Sequence, residues 1–187
     1  MMCFIKFKKT LFDLRNYCLI YLANLDCKLN SKTCTNKTNF ELLIIVFLLF
    51  LAQQLMELSF LFGIGASYQD LCRWDCGWYS SIIDRGYDIF IPNQNEYKNF
   101  AFFPLLPIFA SLLKKLIQVS NQLALVISSK IFFFFSIFAF IKFCKKYFPE
   151  VSFFTSAMVV AFNPYAIYNN SGYTESMFFF LLAHVFT

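Results

Sequence analysis

The sequence predicts an all-α fold: a polytopic transmembrane helix bundle whose first outer loop carries interfacial helices. Hydrophobic residues make up 59% of the 187-residue chain and charged residues 14%, whereas soluble domains have about 45–50% apolar and about 25% charged residues. Several apolar runs approach or exceed ~18 residues, the length typical of a spanning helix. Basic residues cluster beside these runs, as the positive-inside rule expects of a membrane protein.

The distribution of charge argues against nucleic acid as a partner. The net charge is +5, and a basic balance can indicate nucleic-acid binding. In this chain, however, the basic residues flank apolar runs, where such residues set membrane orientation. They are Lys6, Lys8, Lys9, Arg15, Lys28, Lys32 and Lys37 before the first run, and Lys142, Lys145 and Lys146 after a later one.

Residues 1–39 are predicted to form a basic cytosolic arm, and residues 40–64 the first span. Within that span Gln53 and Glu57 lie four residues apart and therefore share a helix face. An ionisable residue in a span faces the protein interior or a wet cavity. Two interpretations follow. The pair is satisfied inside the bundle, which we favour, or Glu57 borders a polar cavity near the outer end.

The first outer loop is predicted to cover residues 65–120, and its second half allows two arrangements. Residues 100–118 contain Pro104 and Pro107, followed by Lys114 and Lys115. A helix from the first proline to the lysines covers only about half a bilayer. If this segment spans the membrane, the later basic cluster at 142–146 falls outside. If it lies along the outer interface, that cluster occupies a short cytosolic loop, where the positive-inside rule is most reliable. We favour the interfacial arrangement.

Three further spans are predicted, at about residues 123–143, 151–168 and 176–187. Lys130 is expected to snorkel towards the outer surface, and Asn163-Pro164 to kink or end its helix. The last span stops after about a dozen residues, whereas a crossing helix needs about twenty. Residues 40–187 are therefore interpreted as the N-terminal part of a longer multi-pass domain, in the plasma membrane of a bacterium or the endoplasmic reticulum of a eukaryote.

Six of the seven cysteines lie in the arm or in the first outer loop, and unpaired thiols without a metal are the favoured interpretation for them. Those in the arm stay reduced in the cytosol and lack the paired spacing and histidine partner of a zinc site; they are Cys3, Cys18, Cys27 and Cys34. Cys72 and Cys76 lie outside the membrane and could oxidise, but a four-residue helical offset is poor disulfide geometry, so we favour unpaired thiols. The chain has no Asp-x-Asp pair, histidine cluster or Gly-rich phosphate loop, so we expect neither a metal nor a cofactor.

The segment Arg73–Asp88 follows the first span and combines aromatic with charged residues. If it is helical, Trp74 and Trp78 share a face, as do residues 75 and 79. Asp75 is placed to cap the helix N-terminus, and Gly86 to end the helix in the left-handed conformation. Trp and Tyr favour the membrane–water interface. The pattern alone therefore favours an interfacial helix with a capping Asp and an aromatic belt.

Three elements of the chain resemble the PIG-V family of polytopic mannosyltransferases. The segment Trp74–Tyr87 resembles the family's W-D-x-x-W-Y-x-x-I-A-x-x-G-Y sequence, with Ile83 in place of the usual Ala. Ala101–Pro107 resembles A-F-F-P-L-[YF]-P. Asn163-Pro164 followed by Ser171–Ser176 resembles N-P … S-x-Y-[ST]-E-S. The elements occur in the family's order between residues 73 and 177, although family members are considerably longer.

This resemblance implies a membrane enzyme of the glycosyltransferase C superfamily. Such enzymes transfer a sugar, here mannose, from a polyprenyl- or dolichyl-phosphate donor on the extracytosolic face, with inversion at the anomeric carbon. The acceptor is a glycan or glycolipid, as in GPI-anchor biosynthesis. In the superfamily an Asp of the first outer loop is the usual candidate base, which implies that Asp75 is catalytic. The alternative function is that of a non-enzymatic membrane protein, either transporter-like or an inactive fragment.

The remaining candidate site residues have two interpretations each. The arginines either hold the donor phosphate, whose geometry suits a guanidinium, or anchor the loop and pair with Asp84 or Asp88. The aromatic residues either stack on sugar faces or lie among lipid headgroups. Glu175 either contacts the acceptor or stabilises a helix N-terminus. The predicted substrate-binding residues are Arg73, Trp74, Trp78, Tyr79, Arg85, Tyr173 and Glu175.

Overall fold

The computed structural model describes residues 39–88 and 99–186, and within these residues all regular structure is helical. The basic arm with its four cysteines, and residues 89–98 of the predicted outer loop, lie outside the described residues. The helices are α1 (Asn39–Gly63), α2 (Asp75–Arg85), α3 (Leu105–Ile117), α4 (Asn121–Tyr147), α5 (Phe153–Ala161), α6 (Ala166–Asn170) and α7 (Glu175–Val185), with a short 3-10 helix at Tyr68–Leu71. The predicted all-α class is confirmed for this part of the chain.

Helix α4 is the centre of the fold, because every other helix packs against it. Its N-terminus is capped by Ser120, whose side-chain oxygen accepts a hydrogen bond from the Leu123 backbone. Small buried residues let neighbouring helices approach its backbone closely. These residues are Ala124, Ser128, Ser129, Ser136 and Ala139. The candidate functional segments, which lie before and after α4 in the sequence, are thereby attached to a common scaffold.

Two helices in the described part of the chain are long and apolar enough to cross a membrane, at Phe40–Gly63 and Asn121–Tyr147. They coincide with the first and second predicted spans. Helix α1 leaves most of its apolar side chains exposed, for example Phe47, Leu48 and Leu55, whereas Leu42, Val46 and Leu61 are buried. Helix α3 has 13 residues and is therefore about 20 Å long, less than the ~30 Å hydrocarbon core of a bilayer.

The third predicted span is divided into α5 and α6. The expected helix end at Asn163-Pro164 is present, because the Asn163 amide nitrogen donates to the Val160 carbonyl at 2.8 Å and its Oδ1 accepts from the Tyr165 backbone at 2.8 Å. Proline, which has no backbone N–H, cannot continue the helical ladder. The segment from residue 151 to 168 is thus two short helices joined by non-helical backbone.

Lys130 does not snorkel outward as predicted. Its Nζ lies 2.7 Å from Glu57 Oε1 and 2.7 Å from Gln54 Oε1, and it sits 4.7 Å from the centre of the Tyr68 ring. Gln54 in turn donates to Asn170 Oδ1 at 3.1 Å. The attraction of a nearby carboxylate on α1 outweighs hydration of the ammonium, so this polar network ties α1 to α4 and α6 inside the bundle.

Candidate active site

The N-cap of helix α2 lies one residue earlier in the chain than predicted. The predicted N-cap was Asp75, but Asp75 is the first helical residue and Trp74 is the cap, with φ 43° and no side-chain cap bond. A positive φ is unusual for a bulky residue, so the turn before α2 is sharp. Trp74 consequently does not share a helix face with Trp78, and its side chain is 78% exposed.

A disulfide joins Cys72 to Cys76, contrary to the prediction that both thiols are unpaired. The prediction assumed that both residues belong to one helix. In the structure Cys72 ends the 3-10 helix and only Cys76 belongs to α2, so the intervening turn brings the two Cα atoms to 5.1 Å. That separation lies within the range a disulfide spans. The bridge closes a small ring around residues 73–75, which includes the predicted base.

The turn before α2 contacts the segment that precedes α7. Tyr173 donates its hydroxyl to the Arg73 carbonyl at 3.0 Å, across 100 positions of sequence. The Tyr79 hydroxyl donates to Thr174 Oγ1 at 3.3 Å. On the side that faces α4, the Ser129 hydroxyl donates to the Tyr173 carbonyl at 3.0 Å. The first and third motifs of the sequence are therefore parts of a single surface.

Gly172 allows this contact to be close. A Cβ at this position would lie 2.7 Å from Cys76 Sγ, and the backbone φ is +81°, a conformation that favours glycine. The sulfur is fully buried and held in the disulfide, so it has little freedom to move aside. Glycine is thus required at position 172 both for its backbone conformation and for its lack of a side chain.

Gly172→Ala is expected to destabilise the protein by about 1–3 kcal/mol, because it combines a steric clash with backbone strain. Gly63→Ala is the matched control, since a Cβ there meets nothing within 4 Å. Thermal unfolding in detergent, followed by far-UV circular dichroism, measures the difference. Equal unfolding temperatures for the two variants would contradict the close approach of Gly172 to the disulfide.

Two carboxylates lie on this surface, on Asp75 and Glu175, each in the first turn of its helix. Partial burial raises the pKa of Glu175, and the negative charge of Asp75 raises it further. Burial likewise raises the pKa of Tyr173, with Asp75 and Glu175 adding to the effect. The two acids are therefore close enough to interact electrostatically.

Aromatic contacts attach the second motif to the same surface. Phe102 stacks on Trp78 at 5.9 Å and meets Tyr79 edge-on at 5.2 Å between ring centres. The Tyr87 hydroxyl donates to the Phe102 carbonyl at 2.8 Å. Asn99, which is fully buried, donates to the Gly86 carbonyl at 3.0 Å. The Ala101–Pro107 element is thus docked against α2, and all three motifs converge.

An open apolar groove begins at Glu175 and follows α7. Its volume is about 540 Å³. Thr174 and Glu175 form its polar end, and the rest of the lining is apolar: Phe103, Phe178, Leu181, Leu182 and Val185. The groove therefore presents a carboxylate at one end of a surface that suits a hydrocarbon chain.

Some predicted site residues are placed differently from the expectation. Arg85 is ten residues beyond Asp75 at the other end of α2, about 15 Å away along the helix. Arg73 is at the site, but its guanidinium pairs with Asp70 at 3.5 Å. Tyr79 is buried, so it supports Thr174 instead of presenting its ring to a sugar or a headgroup. Among the predicted aromatic site residues, Trp74 is the exposed one.

The structure also assigns site roles that the sequence did not suggest. Thr174, Gly172 and the Cys72–Cys76 bridge hold the two segments together, and Asn99 fixes the end of α2. A signal for the bridge was present, because both cysteines were predicted to lie on the outer, oxidising side. The role of Gly172 depends on a neighbour 96 residues earlier in the chain and leaves no local pattern.

No group of three or more potential metal ligands occurs within the described residues. Comparison with protein-family models, with curated proteins and with solved structures found no significant match. The candidate site therefore stands on its own geometry and on the resemblance of its three motifs.

Proposed function

We propose that this protein is a membrane glycosyltransferase that transfers mannose from a polyprenyl- or dolichyl-phosphate donor to a glycan or glycolipid acceptor. One observation carries the proposal: Glu175 forms the polar end of the apolar groove along α7, and the Asp75 carboxylate is near enough to raise the pKa of Glu175. A lipid-linked sugar needs such a combination, because its tail remains in hydrocarbon while its sugar reacts at the interface. The convergence of the three PIG-V-like motifs on this surface supports the same assignment.

The proposed reaction requires a base and a place for the leaving phosphate. The acceptor hydroxyl is a weak nucleophile, so Asp75 accepts its proton as the oxygen attacks the anomeric carbon. The bond from that carbon to the phosphate oxygen breaks, and polyprenyl phosphate leaves with the bonding electrons. Arg73, two residues before Asp75, supplies the cation. Its guanidinium leaves Asp70 and binds the donor phosphate, which is the stronger anion. Glu175 accepts a hydrogen bond from the acceptor sugar.

The donor's hydrocarbon chain is proposed to lie in the groove along α7. Burial of apolar surface stabilises such a complex by about 25 cal/mol per Å². The exposed indole of Trp74 offers a face for a sugar ring, since Trp commonly packs against partly apolar surfaces at an interface. Arg85 has no role in this arrangement, because α2 holds it at the opposite end.

The donor assay is the direct test of this proposal. Membranes that contain the protein, expressed from its complete coding sequence, are supplied with dolichyl-phosphate mannose or with a nucleotide-linked mannose. We expect glycolipid product from the lipid-linked donor alone, detected by mass spectrometry. Product formation only from the nucleotide sugar, or from neither donor under conditions where the protein is folded, would overturn the proposal.

The proposed topology is that of a multi-pass protein with the site on the extracytosolic side. Helices α1 and α4 have the length and composition of spans. Helix α3, at about 20 Å, suits the interface better than a crossing. This arrangement leaves Lys145 and Lys146 at the end of α4 on the cytosolic side, in agreement with the positive-inside rule.

Cysteine labelling measures this topology. In a variant whose other free cysteines are serine, Lys145→Cys is expected to react with a membrane-impermeant maleimide only after permeabilisation. Gln69→Cys, an exposed position before α2, is the control and is expected to react in intact cells or sealed vesicles of the correct orientation. Labelling of residue 145 from the outside would contradict the assignment of α4.

A transporter-like function is the second candidate, and the ion pair between Glu57 and Lys130 favours it. Paired charges inside a helix bundle often mark a transport pathway. Glu57, however, is six residues from the end of α1, about 9 Å along the helix axis from that end, whereas transporter sites lie near the bilayer midplane. Uptake of solute by proteoliposomes, together with failure of the donor assay, would favour this candidate.

A further inference from the structure

The turn that leads into α2 holds a residue in an unfavourable backbone conformation. The Cys76 backbone N–H donates to the Arg73 carbonyl at 3.0 Å, which closes the turn. At its second position Trp74 has φ 43° and ψ −113°, close to the type II′ values that glycine usually adopts. For a bulky residue this conformation is strained and persists only where the surrounding structure imposes it. The Trp74 side chain is 78% exposed, so packing of the indole does not impose it.

The Cys72–Cys76 bridge is a covalent constraint that keeps this turn closed. It joins the residue before the turn to the last residue of the turn. Cys76 is fully buried in α2, and its sulfur lies against Gly172. Cys72 is only partly buried and ends the 3-10 helix. One end of the bridge is therefore anchored in the core, and the other end keeps residues 73–75 folded back on it.

The closed turn is linked to the segment before α7 through the Arg73 carbonyl. This oxygen accepts a hydrogen bond from the Tyr173 hydroxyl at 3.0 Å as well as the one from Cys76. The carbonyl belongs to the planar peptide unit that precedes Trp74, so a change of φ at Trp74 turns it away from Tyr173. Relaxation of the turn and loss of the contact with Tyr173 are thus one event.

Opening the bridge with a dithiol reductant is compatible with the fold. A thiolate of the reductant attacks the Cys72 sulfur, the S–S bond breaks, and Cys76 leaves with the bonding electrons and takes up a proton. The second thiolate of the reductant attacks the reductant's own sulfur in the mixed disulfide, which releases Cys72 as a thiol and the reductant as its disulfide. The protein has then received two electrons and two protons. A neutral cysteine suits a buried position, so Cys76 remains in the core.

We propose that the Cys72–Cys76 bridge is a redox switch for the candidate active site. The oxidised bridge holds the turn that carries Asp75 against the segment that carries Glu175. When the bridge is reduced, Trp74 relaxes to an ordinary φ and the contact with Tyr173 is lost. The effect on sugar transfer rests on the proposed function, whereas the coupling between the bridge and the contact does not. On the extracytosolic side of the proposed topology the oxidised form is the resting one.

The redox equilibrium of the bridge tests this coupling without any assay of sugar transfer. The protein, expressed from its complete coding sequence, is equilibrated in detergent with mixtures of reduced and oxidised dithiothreitol. Acid quenching, alkylation and mass spectrometry of the peptide that contains both cysteines give the reduced fraction. Wild type is expected to become reduced while its far-UV circular dichroism remains that of the folded protein. Reduction that occurs only together with global unfolding would overturn the proposal.

Two substitutions are expected to move this equilibrium in opposite directions. Tyr173→Phe removes a hydrogen bond that only the oxidised form makes, so its bridge should be reduced about fivefold more readily than that of wild type. Trp74→Gly removes the strain that reduction relieves, so its bridge should be reduced about fivefold less readily. Tyr165→Phe is the matched control and should behave as wild type, because Tyr165 is 73% exposed and its hydroxyl makes no hydrogen bond within the described residues. A wild-type equilibrium constant in Tyr173→Phe or in Trp74→Gly would overturn the proposal.

The donor assay separates the switch from the proposed function. Reduced wild type should transfer the sugar at least about tenfold more slowly than oxidised wild type, since a misplacement of about 1 Å can cost about 100-fold in rate. Cys72→Ser, which cannot form the bridge, should be equally slow with and without reductant. Equal rates in oxidised and reduced wild type would overturn the switch and leave the proposed function standing. Absence of product, together with the two opposite shifts of the redox equilibrium, would overturn the function and leave the coupling standing.

Discussion

Asp75→Asn is expected to lower mannose transfer from dolichyl-phosphate mannose at least about 100-fold, while the protein remains folded and inserted. A positioned general base contributes about 10²–10⁴ to a rate, and an amide of the same shape cannot take the acceptor's proton. Asp75 is exposed at the start of α2, and no hydrogen bond within the described residues makes it structurally necessary. The change should therefore appear in the rate of transfer and not in stability.

The measurement compares turnover in detergent-solubilised protein with the unfolding temperature of the same preparation. Asp84→Asn is the matched control, because Asp84 is on the same helix and pairs with Lys114 at 3.6 Å on the exposed side. That control is expected to keep most of the activity. A wild-type rate in Asp75→Asn would remove the residue from the catalytic assignment, and a low rate with a lowered unfolding temperature would show a structural role instead.

Lys130→Met is expected to destabilise the protein by about 3–5 kcal/mol, because it leaves a buried carboxylate without its partner. Lys130 and Glu57 are 13% and 9% exposed, and their charged atoms are 2.7 Å apart. Removing both charges in Glu57→Gln/Lys130→Met should recover most of this loss, since neutral groups of similar size avoid the desolvation cost. Chemical denaturation in detergent micelles measures the three free energies of unfolding.

Lys114→Met supplies the contrast for this prediction. Its pair with Asp84 has side chains 38% and 56% exposed, and exposed pairs contribute about 0–1 kcal/mol. If Lys130→Met destabilises the protein no more than Lys114→Met does, then Glu57 and Lys130 are hydrated in solution and do not form a buried ion pair. If the double variant is as unstable as Lys130→Met, the loss comes from the packing of the lysine side chain instead of from its charge.

The sequence predicted the helices that composition alone determines. The apolar runs gave α1 and α4 to within a few residues, and Asn163-Pro164 correctly marked the end of α5, because proline acts locally. The start of α2 was one residue off, since the turn at Trp74 adopts a backbone conformation that no propensity favours. The disulfide was missed for the same reason: the separation of Cys72 from Cys76 depends on where the helix begins.

Long-range contacts account for the remaining differences. A lysine in a span can extend in either direction, and the direction of Lys130 is set by Glu57, 73 positions earlier in the chain. Tyr79 looked like a surface aromatic residue, but Thr174 and Phe102 bury it. The three motifs were recognised separately, whereas their convergence is a property of the packing around α4. The candidate residues were therefore predictable as a set, and their individual roles were not.

The pairing of α1 with α4 also has a consequence for the order of biosynthesis. Glu57 leaves the ribosome before Lys130, and 73 positions separate the two residues; at ~5–20 residues per second this is an interval of about 4–15 s. During that interval α1 carries a carboxylate whose partner has not been made. If α1 and α4 span a membrane as proposed, α1 with an unpaired acid is poorly suited to lipid, so we expect it to stay beside the insertion channel until α4 arrives and to enter the bilayer with it as a pair.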